Sequence, residues 1–188
     1  MRGPLFSGVL GSAATLDRVC AVLHGHQPTV VLSALWLAEA LATNISVLAL
    51  VEGDKRSAAL RAVRRASRST RPLLVVSAGE DVPLGRGAVG AILIENLMDV
   101  EDQAAAEDLL LGLLPALRSD GIVVSLDATK HQKTEARMAA LFLAAALTNI
   151  TQARPREGAL LTIGSAPPQM VTAVRTARLE VARGETRE

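Results

Sequence analysis

The sequence predicts an α/β fold: a seven-stranded, mostly parallel sheet with helices on both faces and an antiparallel hairpin at its C-terminal end. Three observations predict it. Short apolar runs alternate with helical patterns from Thr29 to Leu147. Those runs are apolar throughout rather than at every second residue, which marks strands covered on both faces. The last two runs are joined by a turn too short for a parallel crossover.

Taken in order, the first dozen residues, with three glycines, read as an irregular lead, set at 1–14. Thr15 to His24 predicts a helix, because Leu16, Val19, Cys20 and Leu23 recur at three- and four-residue spacing. His24-Gly25-His26-Gln27-Pro28 stops it. Thr29 to Ala34 is the first strand, Leu35 to Thr43 a helix that Asn44 can end, and Ile45 to Val51 the second strand. Ser57 to Ser67 is a helix with Leu60 and Val63 inward. Leu73 to Val76, entered through Pro72, is the third strand; Gly85-Arg86-Gly87 turns the chain into the fourth, Val89 to Ile94. Gln103 to Leu117 is a long helix, after which Asp120-Gly121 turns into a fifth strand, Ile122 to Leu126. A helix over Glu135 to Leu147 follows, then strands Asn149 to Arg154 and Ala159 to Ile163 around Arg156-Glu157-Gly158. Pro167-Pro168 breaks the chain before a polar tail, 167–188, so one domain is expected over 15–166.

Composition narrows the function classes. The chain has 188 residues, 49% hydrophobic, with a formal net charge of +1, enough to close one core and too evenly charged for bulk attraction to nucleic acid or an anionic membrane. Phe6, Phe142 and Trp36 are its only aromatic residues, which argues against base stacking. One cysteine, Cys20, excludes an internal disulfide framework. The apolar run Met138 to Leu147 is too short for a membrane span, which takes about 20 residues. The N-terminal residues do not form a convincing signal peptide, so a cytoplasmic setting is expected.

Several segments carry a resemblance. Val47-Leu-Ala-Leu-Val-Glu52 is an apolar strand ending in an acid. Val76-Ser-Ala-Gly79-Glu80-Asp81-Val-Pro83-Leu84 follows the third strand, and Ala91-Ile-Leu-Ile-Glu95-Asn96-Leu-Met-Asp99 spans the fourth. Leu113-Leu-Pro-Ala-Leu-Arg118-Ser-Asp120-Gly121 leads into the fifth. In this order and spacing, over roughly Thr15 to Ala166, the chain resembles the class I S-adenosylmethionine-dependent methyltransferases. The resemblance implies that Glu52, Gly79, Glu80 and Asn96 would hold S-adenosylmethionine if the chain is active.

The departures from that family are specific. The glycine-rich loop after the first strand is replaced by Ser33-Ala34-Leu35-Trp36-Leu37, and no glycine lies between Gly25 and Gly53. Such glycines permit a tight turn and close approach of a ligand to the backbone. An indole buries about 150–250 Å², so Leu35, Trp36 and Leu37 are expected to occlude the cofactor site. The acid that starts the fourth strand in the family is here Gly90. These departures point to a non-catalytic methyltransferase-like domain acting as a protein-interaction, scaffold or regulatory module, without cofactor and with no catalytic residue. The retained residues leave the alternative of an active methyltransferase working on a small molecule or protein.

Other candidates have plainer readings beside them. Glu52 and Asp54 also suit the N-terminus of a following helix, and Glu80 and Asp81 a solvated turn. His24 and His26 lack a third metal ligand, and His131 lacks a partner for base chemistry. From Lys55 to Arg71 there are seven cations and no acid, with Arg61, Arg64, Arg65 and Arg68 on one helix face. From Glu95 to Asp108 there are six acids, Glu101 and Asp102 among them, and no cation. Both faces suit plain solvation; they also suit a protein partner or head-to-tail self-association, which salt would weaken.

Overall fold

A computed structural model describes residues 10–32, 34–52, 73–78, 84–99, 102–129 and 134–166. Its helices and strands run α1 (Ala13–Leu23), β1 (Thr29–Leu32), α2 (Leu35–Leu41), β2 (Val47–Glu52), β3 (Leu73–Ala78), β4 (Val89–Glu95), α3 (Gln103–Leu113), β5 (Leu117–Ala128), α4 (Thr134–Ala144), β6 (Thr148–Arg156) and β7 (Ala159–Ser165). The helix expected over Ser57 to Ser67 and the tail 167–188 lie outside the described residues.

The seven strands form one sheet in the order β3-β2-β1-β4-β5-β7-β6. β1 to β5 pair in parallel, and β7 inserts between β5 and β6, antiparallel to both. The mostly parallel sheet with its antiparallel C-terminal pair is therefore the one the alternation predicts. Successive strand residues feed two cores. Val31, Leu93, Val124 and Leu161 pack under α1 and α2. Val30, Ile92, Val123 and Leu160 pack under α3 and α4, around the fully buried ring of Phe142.

Boundaries moved where turn chemistry outweighed apolar pattern. Ser12 caps α1, its Oγ accepting the Thr15 N–H at 3.3 Å, so the helix begins two residues before Thr15. The expected helix to Leu117 stops at Leu113, and a 3-10 turn over Leu114–Ala116 follows. Pro115 has no N–H with which to continue the α-helix. Asp120-Gly121 is not a turn before the strand but part of it. β5 already pairs at Leu117 with Val89, and Ile122 next pairs with Ala91, so residues 118–121 form a bulge within β5. Gly158, at φ +83°, closes the β6–β7 hairpin in a conformation other residues rarely adopt.

Candidate functional site at the carboxyl edge of the sheet

In an open α/β sheet the ligand crevice lies beyond the carboxyl ends of the strands, where chain connections leave for opposite faces. Here that switch falls between β1 and β4. α2 follows β1 onto one face and α3 follows β4 onto the other.

Trp36 stands at this point. It lies in the first turn of α2, half-buried against the core, and its indole Nε1–H donates to Glu95 Oε2 at 3.0 Å. Glu95 is the last residue of β4. The bond therefore joins the helix that follows β1 to the neighbouring strand, across the switch. Leu35 packs half-buried on the same cluster, and Leu37 is fully buried in it. Leu35 and Leu37 thus help anchor the helix that carries the indole.

Beneath Trp36 the ends of β4 and β5 are knitted together by polar side chains. Asn96 takes a left-handed conformation (φ +50°) and its carboxamide oxygen accepts the Ala128 N–H at 3.1 Å. Asp127 is 1% exposed. Its Oδ1 accepts the Met98 N–H at 3.0 Å, the Leu97 N–H adds a further bond, and the Ser125 hydroxyl donates to Oδ2. Burial pushes the Asp127 carboxyl above its usual range, against the pull of those hydrogen bonds and with a further push from Asp99. Glu95 is raised as well, first by burial and then by the charges of Asp99 and Asp127, while the Trp36 bond opposes the rise.

These directions set a pH dependence. An acid whose folded pKa exceeds its unfolded value, about 4 for both side chains, contributes stability that is full below that value. The contribution is lost as pH rises through the folded pKa. A Glu95→Gln/Asp127→Asn double variant should therefore gain stability relative to the wild type as pH goes from 4 to 7. Urea midpoints at several pH values read this; a flat or inverted difference would contradict it.

The remaining sequence candidates are placed as follows. Glu52 ends β2, paired with Ala78 of β3. Gly79, Glu80, Asp54, Asp81, His131, Arg61, Arg64, Arg65, Arg68 and Glu101 lie outside the described residues. Asp102 is the N-cap of α3, its Oδ1 accepting the Ala104 N–H at 3.1 Å. His24 caps the C-terminal end of α1, and Cys20 sits half-buried beside Asn44, its thiol raised by burial. Among the described residues no group of three or more His, Cys, Asp or Glu side chains could hold a metal ion. None of their helices is long and apolar enough to cross a membrane. Sequence reading missed Ser125 and Asp127, although an acid inside the apolar run of β5 was the available signal.

Neither a protein-family model nor a curated protein sequence matches the chain. Solved structures do. The S-adenosylmethionine-dependent methyltransferase SibL in its apo form superposes with a TM-score of 0.69 at 14% identity, covering 87% of this chain and 55% of its own. An O-methyltransferase family 2 protein from Planctomyces limnophilus, in complex with apigenin, gives 0.67 at 12%, covering 86% and 59%. The 1,6-didemethyltoxoflavin-N1-methyltransferase of Burkholderia thailandensis, with 1,6-didemethyltoxoflavin and S-adenosylhomocysteine bound, gives 0.62 at 15%, covering 87% and 81%. The chain spans a little over half the length of the first two. The fold is that of the class I S-adenosylmethionine-dependent methyltransferases.

Proposed function

We propose that this chain is a non-catalytic methyltransferase-like domain whose cofactor crevice is closed by Trp36, and that it serves as a protein-interaction, scaffold or regulatory module. The Trp36–Glu95 hydrogen bond carries the reading. A ligand entering at the β1–β4 switch would have to displace the indole and leave the half-buried Glu95 carboxylate without its donor, a loss of order 1–3 kcal/mol. The Asn96 oxygen, which the resemblance would turn toward a cofactor, is engaged by Ala128. Both contacts support a mouth closed to an adenosyl group in this reading. The interaction surface in this reading is the basic run containing Arg61, Arg64, Arg65 and Arg68 together with the acids Glu101 and Asp102.

Isothermal titration with S-adenosylmethionine tests the closure. Wild-type protein should show no micromolar binding. Trp36→Gly, with Trp36→Ala as the less disruptive companion and circular dichroism to confirm folding, should gain it. Micromolar binding by the wild type would overturn the proposal. A second reading, an active methyltransferase acting on a small molecule or protein through Glu52, Gly79, Glu80 and Asn96, draws on one observation: the Burkholderia neighbour carries S-adenosylhomocysteine. Wild-type binding followed by methyl transfer would select it.

A further inference from the structure

The crevice uses the carboxyl ends of the strands; the amino ends hold chemistry that it leaves untouched. β1, β4 and β5 are parallel and all begin at this edge. The connection from α1 to β1 brings His26 there, the start of β4 brings Gly90, and the bulge of β5 brings Arg118 and Asp120. Arg118 and His26 meet over Gly90. The point that a Gly90 Cβ would occupy touches Arg118 Nη2 and lies 2.5 Å from the His26 carbonyl oxygen. Only a residue without a side chain leaves the guanidinium room there.

Three side-chain atoms among the described residues are shut off from solvent without a hydrogen-bond partner, and all three belong to this edge: His26 Nδ1, Thr29 Oγ1 and Arg118 Nε. Thr29 is the first residue of β1, is fully buried, and pairs with Ala91, the neighbour of Gly90. Buried polar groups are as a rule hydrogen-bonded, so orphans gathered in one place mark a missing partner. Asp120 does not fill that role. Its Oδ1 stands 3.5 Å from Arg118 Nε, beyond the roughly 2.7–3.2 Å of a hydrogen bond, and its side chain is 72% exposed.

The donors define the missing partner. A guanidinium donates and never accepts, and its Nε–H and Nη2–H point along one edge, a fork that fits two oxygens of one oxyanion. His26 Nδ1 donates a third bond in the tautomer that carries its proton there. A second cation stands nearby. Arg86 is exposed on the loop before β4, and the Gly87 N–H of that loop donates to Pro115 O at 3.1 Å, just ahead of Arg118. Two arginines beside one solvated carboxylate favour a multiply charged anion over a second carboxylate.

We propose that this edge of the sheet binds a phosphate group, held by the Arg118 fork and His26 Nδ1, which displaces Asp120 from Arg118 as it enters. The site lies at the opposite edge from Trp36, so it stands whether or not the crevice is closed.

Isothermal titration with inorganic phosphate at low ionic strength should give one saturable site, and bound phosphate should raise the melting temperature. Arg118→Gln should weaken binding by about tenfold or more, through loss of the charged fork. Asp120→Asn, at an exposed position, should tighten it several-fold, because a competing carboxylate is gone; this variant decides the matter should Arg118→Gln fail to fold. Glycerol 3-phosphate, titrated beside the inorganic ion, distinguishes the sources: tighter binding points to a phosphate ester, weaker binding to the free ion. A wild type without saturable phosphate binding, or one that binds acetate as tightly at equal ionic strength, would overturn the proposal. So would an affinity indifferent to Asp120→Asn, since the anion would then sit elsewhere.

Discussion

Asp127→Ala should lower the unfolding free energy by about 2–4 kcal/mol at pH 7. The argument follows from what the carboxylate does at the end of β5. It accepts the Met98 and Leu97 N–H groups and the Ser125 hydroxyl, and both Asp127 and Ser125 are within 1% of full burial. Truncation strands these donors away from water, at about 1–3 kcal/mol for each that finds no substitute. One effect opposes this: burial disfavours the ionised carboxylate, so removing it relieves part of the cost at neutral pH. Three lost acceptor contacts, at about 1–3 kcal/mol for each donor left unsatisfied, are expected to outweigh that relief.

Asp127→Asn separates the two effects. Its carboxamide oxygen keeps the Met98 bond while the charge disappears, so stability at pH 7 should stay within about 1 kcal/mol of wild type or rise slightly. Chemical denaturation of the two variants side by side checks this. If Ala were tolerated as well as Asn, the polar knot between β4 and β5 would carry no energetic role.

The sheet was legible in the sequence because its strands are apolar from end to end, and only burial on both faces explains that pattern. The strand expected over Thr29 to Ala34 runs Thr29–Leu32, the one expected over Val89 to Ile94 runs Val89–Glu95, and the hairpin turn falls at the expected Arg156-Glu157-Gly158. The position of β7 between β5 and β6 was not legible, since a hairpin fixes only the pairing of its own strands. At the site, sequence flagged Trp36 from the missing glycines, but not its partner. A side chain's direction depends on where a residue 59 positions away ends its strand, and local spacing does not encode that. Asn96 shows the reverse case. Its place after β4 suggested a ligand contact, yet the left-handed backbone turns its oxygen to Ala128.

Gly90 is the departure whose reason only the structure supplies, and replacing it should have the other large effect. Its φ is unremarkable; what matters is space. A Cβ at this position in β4 would lie 2.5 Å from the His26 carbonyl oxygen and 2.6 Å from the carbonyl carbon, and would also meet Arg118 Nη2. The arginine could swing away, but the His26 backbone cannot. The His26 N–H is bonded to Leu23 O at 2.9 Å, and the next residue, Gln27, holds the Ser46 N–H at 2.9 Å through Oε1. Overpacking against fixed backbone costs about 3 kcal/mol, which in a chain of this size is a fall of about 6–12 °C in melting temperature. Gly90→Ala should show it, and Gly90→Asp, which restores the acid of the family pattern, should lose more rather than regain function. Gly112→Ala is the matched control: it lies near the end of α3 with nothing within 4 Å of the added carbon. Helix propensity there favours alanine by up to about 1 kcal/mol. Calorimetry on the three variants decides the matter, and a Gly90→Ala protein melting with the wild type would mean that the loop before β1 gives way, contrary to its hydrogen bonding.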